Sequence, residues 1–198
     1  MKKLVVISIV AGLVLALGAA FANQNSASHG VDIRIPNVLF LRITDGESNA
    51  RVTDAVVRFN FTADAAATNA YLDHVTAVTS EADAWIGSTD TTPAFGDVVV
   101  FSNRNESWVV TVQATAFATT GFDLSSVRVT PSGANESGAT RVGSWTLSTA
   151  AQNVATGGAQ TLGWKPLGIS ANDYEVRLDG SELPGDYETT VTYTIAQP

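Results

Sequence analysis

Cysteine is absent from the 198-residue sequence. That removes disulfide staples, thiolate metal sites and thiol catalysis together. Lysine is almost absent: Lys2 and Lys3 open the chain, and Lys165 is the only other one. No basic cluster exists that would hold a nucleic-acid backbone or an anionic bilayer, so neither is expected as a partner. Histidine is limited to His29 and His74. A Ser-His-Asp triad needs one of them as a base, and no Gly-x-Ser-x-Gly elbow accompanies either. The glycines are scattered through turn-like clusters, so there is no phosphate loop and no dinucleotide fingerprint. The acidic residues around Asp45 and between Asp173 and Glu182 do not form a calcium loop of the Asp-x-Asp-x-Asp-Gly type. They read as turn residues whose side chains bond their own backbone. The expectation is a protein without catalysis, cofactor or metal.

What is present begins with a leader. Lys2 and Lys3 precede an almost wholly apolar run from Leu4 to Ala20. Ala20, Phe21 and Ala22 then give the small-x-small pattern of a signal peptidase site. Residues 1–22 are therefore expected to be a cleaved signal peptide. No membrane span is expected in the mature chain, residues 23–198. Losing the two leader lysines leaves 9 basic against 19 acidic residues, a net charge of about −10. The expected location is outside the cytoplasmic membrane: secreted or at the cell surface, or periplasmic where the host has an outer membrane.

After a polar lead at 23–30, the chain reads as short alternating segments separated by Gly, Pro, Asn and Asp. Val31, Ile33 and Ile35 alternate with Asp32 and Arg34, the period of a half-buried strand. Pro36 makes that strand an edge or a bend. Residues 38–43 resume as a more apolar strand, and Ala55, Val57, Phe59 and Phe61 mark another. Residues 62–95 are Ala-rich and mixed. They read as an insertion with a short helix near 65–71 and a strand near 75–79. The clearest long strand covers 107–118, with Trp108, Val110, Val112 and Ala114 on one face. The last strand puts Tyr187, Thr189, Val191, Tyr193 and Ile195 together. No stretch of 12 residues after the leader carries a capped helical stripe. Many short Val-, Thr- and aromatic-rich segments predict an all-β antiparallel sandwich of immunoglobulin-like type over residues 31–198.

Four tryptophans bear on ligands. Trp108 and Trp145 fall on apolar strand faces and read as core. Trp85 and Trp164 lie near Gly and Pro and are the candidates for exposed ligand contacts.

The order of segments resembles the WxL domain, a bacterial cell-surface β module. The likeness rests on the opening strand at 31–40, the Trp108, Val109, Val110 run leading to Phe117, and a closing strand after Pro184, Gly185 and Tyr187. Val110 stands where that pattern has its first Leu; Tyr193 and Ile195 stand where it has its second Trp and Leu. The closing strand also resembles the last strand of fimbrial subunits. The first likeness implies a non-catalytic surface protein bound to the cell envelope, with peptidoglycan as the partner. The second implies self-association, as a fibre or surface-layer subunit built by strand addition between copies. A free, donor-like first strand is the feature that would favour the second.

Overall fold

A computed structural model describes residues 30–46, 48, 50–89 and 95–198. The proposed leader and residues 23–29 of the polar lead lie outside them. The chain divides after Pro36 into Met1–Pro36 and Asn37–Pro198. In the first unit, residues 30–36 form no strand, and Val31, Ile33 and Ile35 are 71%, 75% and 75% exposed. The strand expected at 31–35 is therefore not formed.

Among its described residues the second unit carries twelve strands and one α-helix. The strands are β1 (Leu39–Thr44), β2 (Arg51–Val52), β3 (Trp85–Gly87), β4 (Asp97–Ser102), β5 (Trp108–Ala114) and β6 (Val127–Val129). They continue as β7 (Thr140–Arg141), β8 (Trp145–Thr146), β9 (Gln152–Gly157), β10 (Lys165–Pro166), β11 (Tyr174–Arg177) and β12 (Val191–Ala196). They form three four-stranded sheets, ordered β10-β4-β1-β2, β3-β11-β6-β8 and β12-β5-β9-β7. Every recorded pairing is antiparallel. The fold is all-β and sandwich-like.

Alternation produces the core. In β5, Trp108, Val110, Val112 and Ala114 are buried, while Val109, Thr111 and Gln113 are not. They join Val98 and Val100 of β4, Val127 and Val129 of β6, and Val176 of β11 in one apolar cluster. β9 comes from a small, Gly-rich stretch that the sequence did not mark as a strand. Its small residues have a cause: a Cβ on Gly157 would sit 2.1 Å from Cζ2 of Trp108. Only glycine lets β9 run under that ring.

Other expectations shift in detail. Asp64 caps α1 (Ala65–Ala77), its Oδ1 accepting from Ala67 N at 2.8 Å. The helix runs on to Ala77, so no strand begins at 75. Ala55, Val57, Phe59 and Phe61 do turn towards the core. Among the described residues that stretch shows an isolated bridge at Arg58, whose carbonyl accepts from Thr89 N, and no longer ladder. Alternating burial there reflects an extended chain lying on the core. β5 stops at Ala114, where the Thr115 hydroxyl accepts from Thr190 N and pairs with the Thr189 hydroxyl. Tyr187 leaves the closing strand to pack with Phe117 and Phe122.

A network of polar side chains around the buried Asp173 ties several loops together. Asp173 Oδ1 accepts from Ser132 N and Oγ, and its Oδ2 from Ser170 N and Oγ. Arg141 Nη1 donates to the carbonyls of Gly133, Leu167 and Gly168. Asp97 Oδ1 accepts from the Gly168 and Ile169 amides at 3.0 and 3.2 Å. Burial pushes the Asp97 carboxyl up to about 6, against the pull of those amides. The folded state thus holds a proton that the unfolded chain has released above about pH 4. Stability from this group is present at low pH and is lost as pH rises through 6. Partial solvent screening brings the effect down to about 1 kcal/mol. Relative to Asp97→Asn, the wild type should gain about that much between pH 7.5 and pH 5 in urea melts. Parallel pH profiles for the two proteins would show that Asp97 does not titrate in this way.

Candidate assembly surface

Sheet edges are where a β protein is open to partners, because they carry backbone donors and acceptors with no neighbour. Among the described residues, five of the six edge strands are two or three residues long: β2, β3, β7, β8 and β10. β10 is Lys165 and Pro166, a charge and a residue without an N–H, both of which blunt an edge. The exception is β12. It is six residues long, pairs with β5 over its whole length, and has no strand on its other side among the described residues. Its sequence, Val191, Thr192, Tyr193, Thr194, Ile195, Ala196, contains no charge and no proline. None of the usual guards against edge pairing is present in it.

β1 is also half open. β4 pairs with all six of its residues, but β2 pairs only with Ile43 and Thr44. Leu39, Leu41 and Ile43 of β1, and Val191, Tyr193 and Ile195 of β12, pack against the core yet remain only partly buried. The two strands belong to different sheets, and their Cα atoms come within 8 Å of each other. Between them is a seam of incompletely covered apolar side chains.

Tyr193 anchors β12 to the interior. Its hydroxyl meets that of Tyr174 at 2.9 Å, and Phe95 packs edge-on to both rings. Burial holds the Tyr193 hydroxyl well above the ordinary phenol range and Tyr174 at about 12, so the pair stays neutral. Trp108 and Val110 are fully buried in β5, with Trp108 Nε1 donating to the Ala159 carbonyl at 3.1 Å. Ile195 lies two residues beyond Tyr193 on the same β12 face.

The two tryptophans proposed as ligand contacts sit in different settings. Trp85 belongs to strand β3 instead of a loop, and the Arg128 guanidinium lies 4.2 Å above its ring. Arg128 is itself held by Glu175, at 2.7 Å from Nη2 to Oε2. Trp164 is 39% exposed, beside Phe40 at 55%. Phe40 stacks on it with centroids 6.5 Å apart, Phe101 lies at 5.6 Å, and the Arg42 guanidinium at 4.1 Å. Phe40 and Phe101 are cross-strand partners in β1 and β4, so pairing collects them on one face. Nearby in sequence, Leu162 is exposed and is the only non-glycine described with positive φ, at 51°. Phe40, Arg42 and Phe101 escape sequence reasoning because the β1–β4 register that joins them to Trp164 is a long-range fact.

Elsewhere, His74 lies in α1 with Nε2 3.1 Å from the Ala84 carbonyl. No group of three or more His, Asp or Glu residues among those described is placed to hold a metal ion. No helix among them is long and apolar enough to cross a membrane. No protein-family model, curated protein or solved structure matches the chain.

Proposed function

We propose that this protein is an exported, non-catalytic structural subunit that assembles with copies of itself by β-strand addition. The observation that carries the reading is the state of residues 31–35. They have the apolar–polar alternation of a strand, yet they form none, and their three aliphatic side chains are solvated. Arg34 and Asp32 are ion-paired at 3.1 Å, as residues two apart on one side of an extended chain can be. A segment with strand chemistry and no strand partner is suited to completing a sheet elsewhere. The leader at residues 1–22 supports work outside the cytoplasmic membrane. Sedimentation of the purified exported protein beside an Ile33→Asp variant tests the reading. Polymers from the wild type and monomers from the variant are expected. A wild type that stays monomeric at every concentration would refute it.

A second reading, attachment to the cell envelope in the manner of WxL-like proteins, is favoured by the exposed Trp164 and Phe40 face. Aromatic faces of this kind stack on sugar rings, and the acidic net charge argues against adsorption to an acidic wall by charge alone. The two readings are compatible, since a surface polymer still needs a point of attachment.

A further inference from the structure

We infer that the acceptor for residues 31–35 is the free edge of β12 in a second copy of the chain, where the segment enters the seam between β12 and the open half of β1. The inference rests on the strand-addition reading and adds the identity and place of the partner.

Edge length selects β12. A five-residue strand needs a backbone edge of similar length; among the described residues every other edge strand offers only two or three residues, and the open half of β1 only the four from Leu39 to Arg42. The side-chain pattern agrees. With Val31, Ile33 and Ile35 turned inward beside Val191, Tyr193 and Ile195, Asp32 and Arg34 fall on the solvent side with Thr192 and Thr194. The inserted aliphatics would cover the partly buried Leu39, Leu41 and Ile43 of β1. Two strand spacings are about 9.6 Å, so the seam must open by a few ångströms where β1 and β12 approach within 8 Å.

The donor must come from another copy. Val38 N donates to Asn103 Oδ1 at 2.8 Å, and Asn103 N donates to the Val38 carbonyl. These bonds carry the line of β1 back beyond Leu39, alongside the continuation of β4. Little more than Pro36 and Asn37 then remains in which the chain could reverse onto β1. Hairpin loops of that length are type I′ or II′ turns, whose first central residue needs positive φ. Proline is fixed near −65° and cannot supply it. Each copy therefore offers a donor it cannot use and an acceptor it cannot fill, which is a head-to-tail arrangement that propagates as a filament.

The absence of native cysteine makes the test direct. Arg34→Cys in one preparation is mixed with Thr192→Cys or Thr194→Cys in another, assembled, and oxidised. Thr140→Cys on β7 and Thr146→Cys on β8 serve as edge controls. Cross-strand neighbours lie at Cα separations that a disulfide spans. Disulfide-linked dimers are expected with Thr192→Cys or Thr194→Cys, at least about tenfold above the controls. Polymers that cross-link at β7 or β8, equally everywhere, or nowhere would overturn the β12 assignment and leave strand addition standing. Absence of polymer from every preparation, the unsubstituted protein included, would remove both.

Discussion

Ile33→Asp is expected to leave the fold intact and abolish assembly. Ile33 is exposed in the subunit, so its replacement removes no buried contact there, and the melting temperature should hold. In the proposed assembly the same side chain sits at the centre of the donated strand. Burying an aliphatic residue of that size contributes about 1.5–3 kcal/mol, and an unpaired carboxylate in its place costs several more. A combined loss of about 4 kcal/mol is a thousandfold in association constant. Arg34→Ala, on the solvent side of the same segment, should assemble nearly as the wild type does. Sedimentation at matched concentrations reads both. Polymers of Ile33→Asp equal to the wild type would mean that residues 31–35 are not the donor.

Trp108→Ala is expected to cost about 3–5 kcal/mol of stability, the range for large aromatic truncations in cores. Trp108 is fully buried, opens the central strand β5, and fills the space that Gly157 leaves open in β9. Removing the indole also deprives the Ala159 carbonyl of its donor. Neighbours cannot collapse into the space cheaply, because β5 is held on both sides by β12 and β9. Urea denaturation of monomeric protein measures the loss. A change below about 1 kcal/mol would show that the ring is not packed as described. The effect should reach assembly too, since β12 pairs directly with β5.

The sequence makes the fold class legible where one strand face is strongly apolar. β5 and β12 announce themselves by alternation. α1 is legible only near 65–71, because none of its residues is fully buried and it therefore carries no strong apolar stripe to mark its full length. β9 is hidden because its residues are chosen for size beneath Trp108, not for strand propensity. The extended stretch through Phe59 shows the reverse case: its alternation is real, but burial on the core can produce alternation without a ladder. Residues 31–35 present the same ambiguity in sharper form. Their pattern states that one face is to be buried and is silent on which chain buries it. Likewise Val191, Tyr193 and Ile195 are readable as an inward face, whereas the lack of a second neighbour for β12 among the described residues follows only from the sheet order. Trp164 could be singled out from its setting near Gly163 and Pro166; its partners Phe40 and Phe101 depend on the β1–β4 register.

Amide hydrogen exchange of monomeric and assembled protein tests the central claim most directly. Exchange reports whether a backbone N–H is bonded, independently of side-chain substitutions. In the monomer, the amides of residues 31–35 should exchange at the rates of an open chain. In the assembly they should be protected together with those on the outer edge of β12, while the core amides of β5 stay protected in both. Residues 31–35 that are already protected in the monomer, or that remain unprotected in the assembly, would contradict the account.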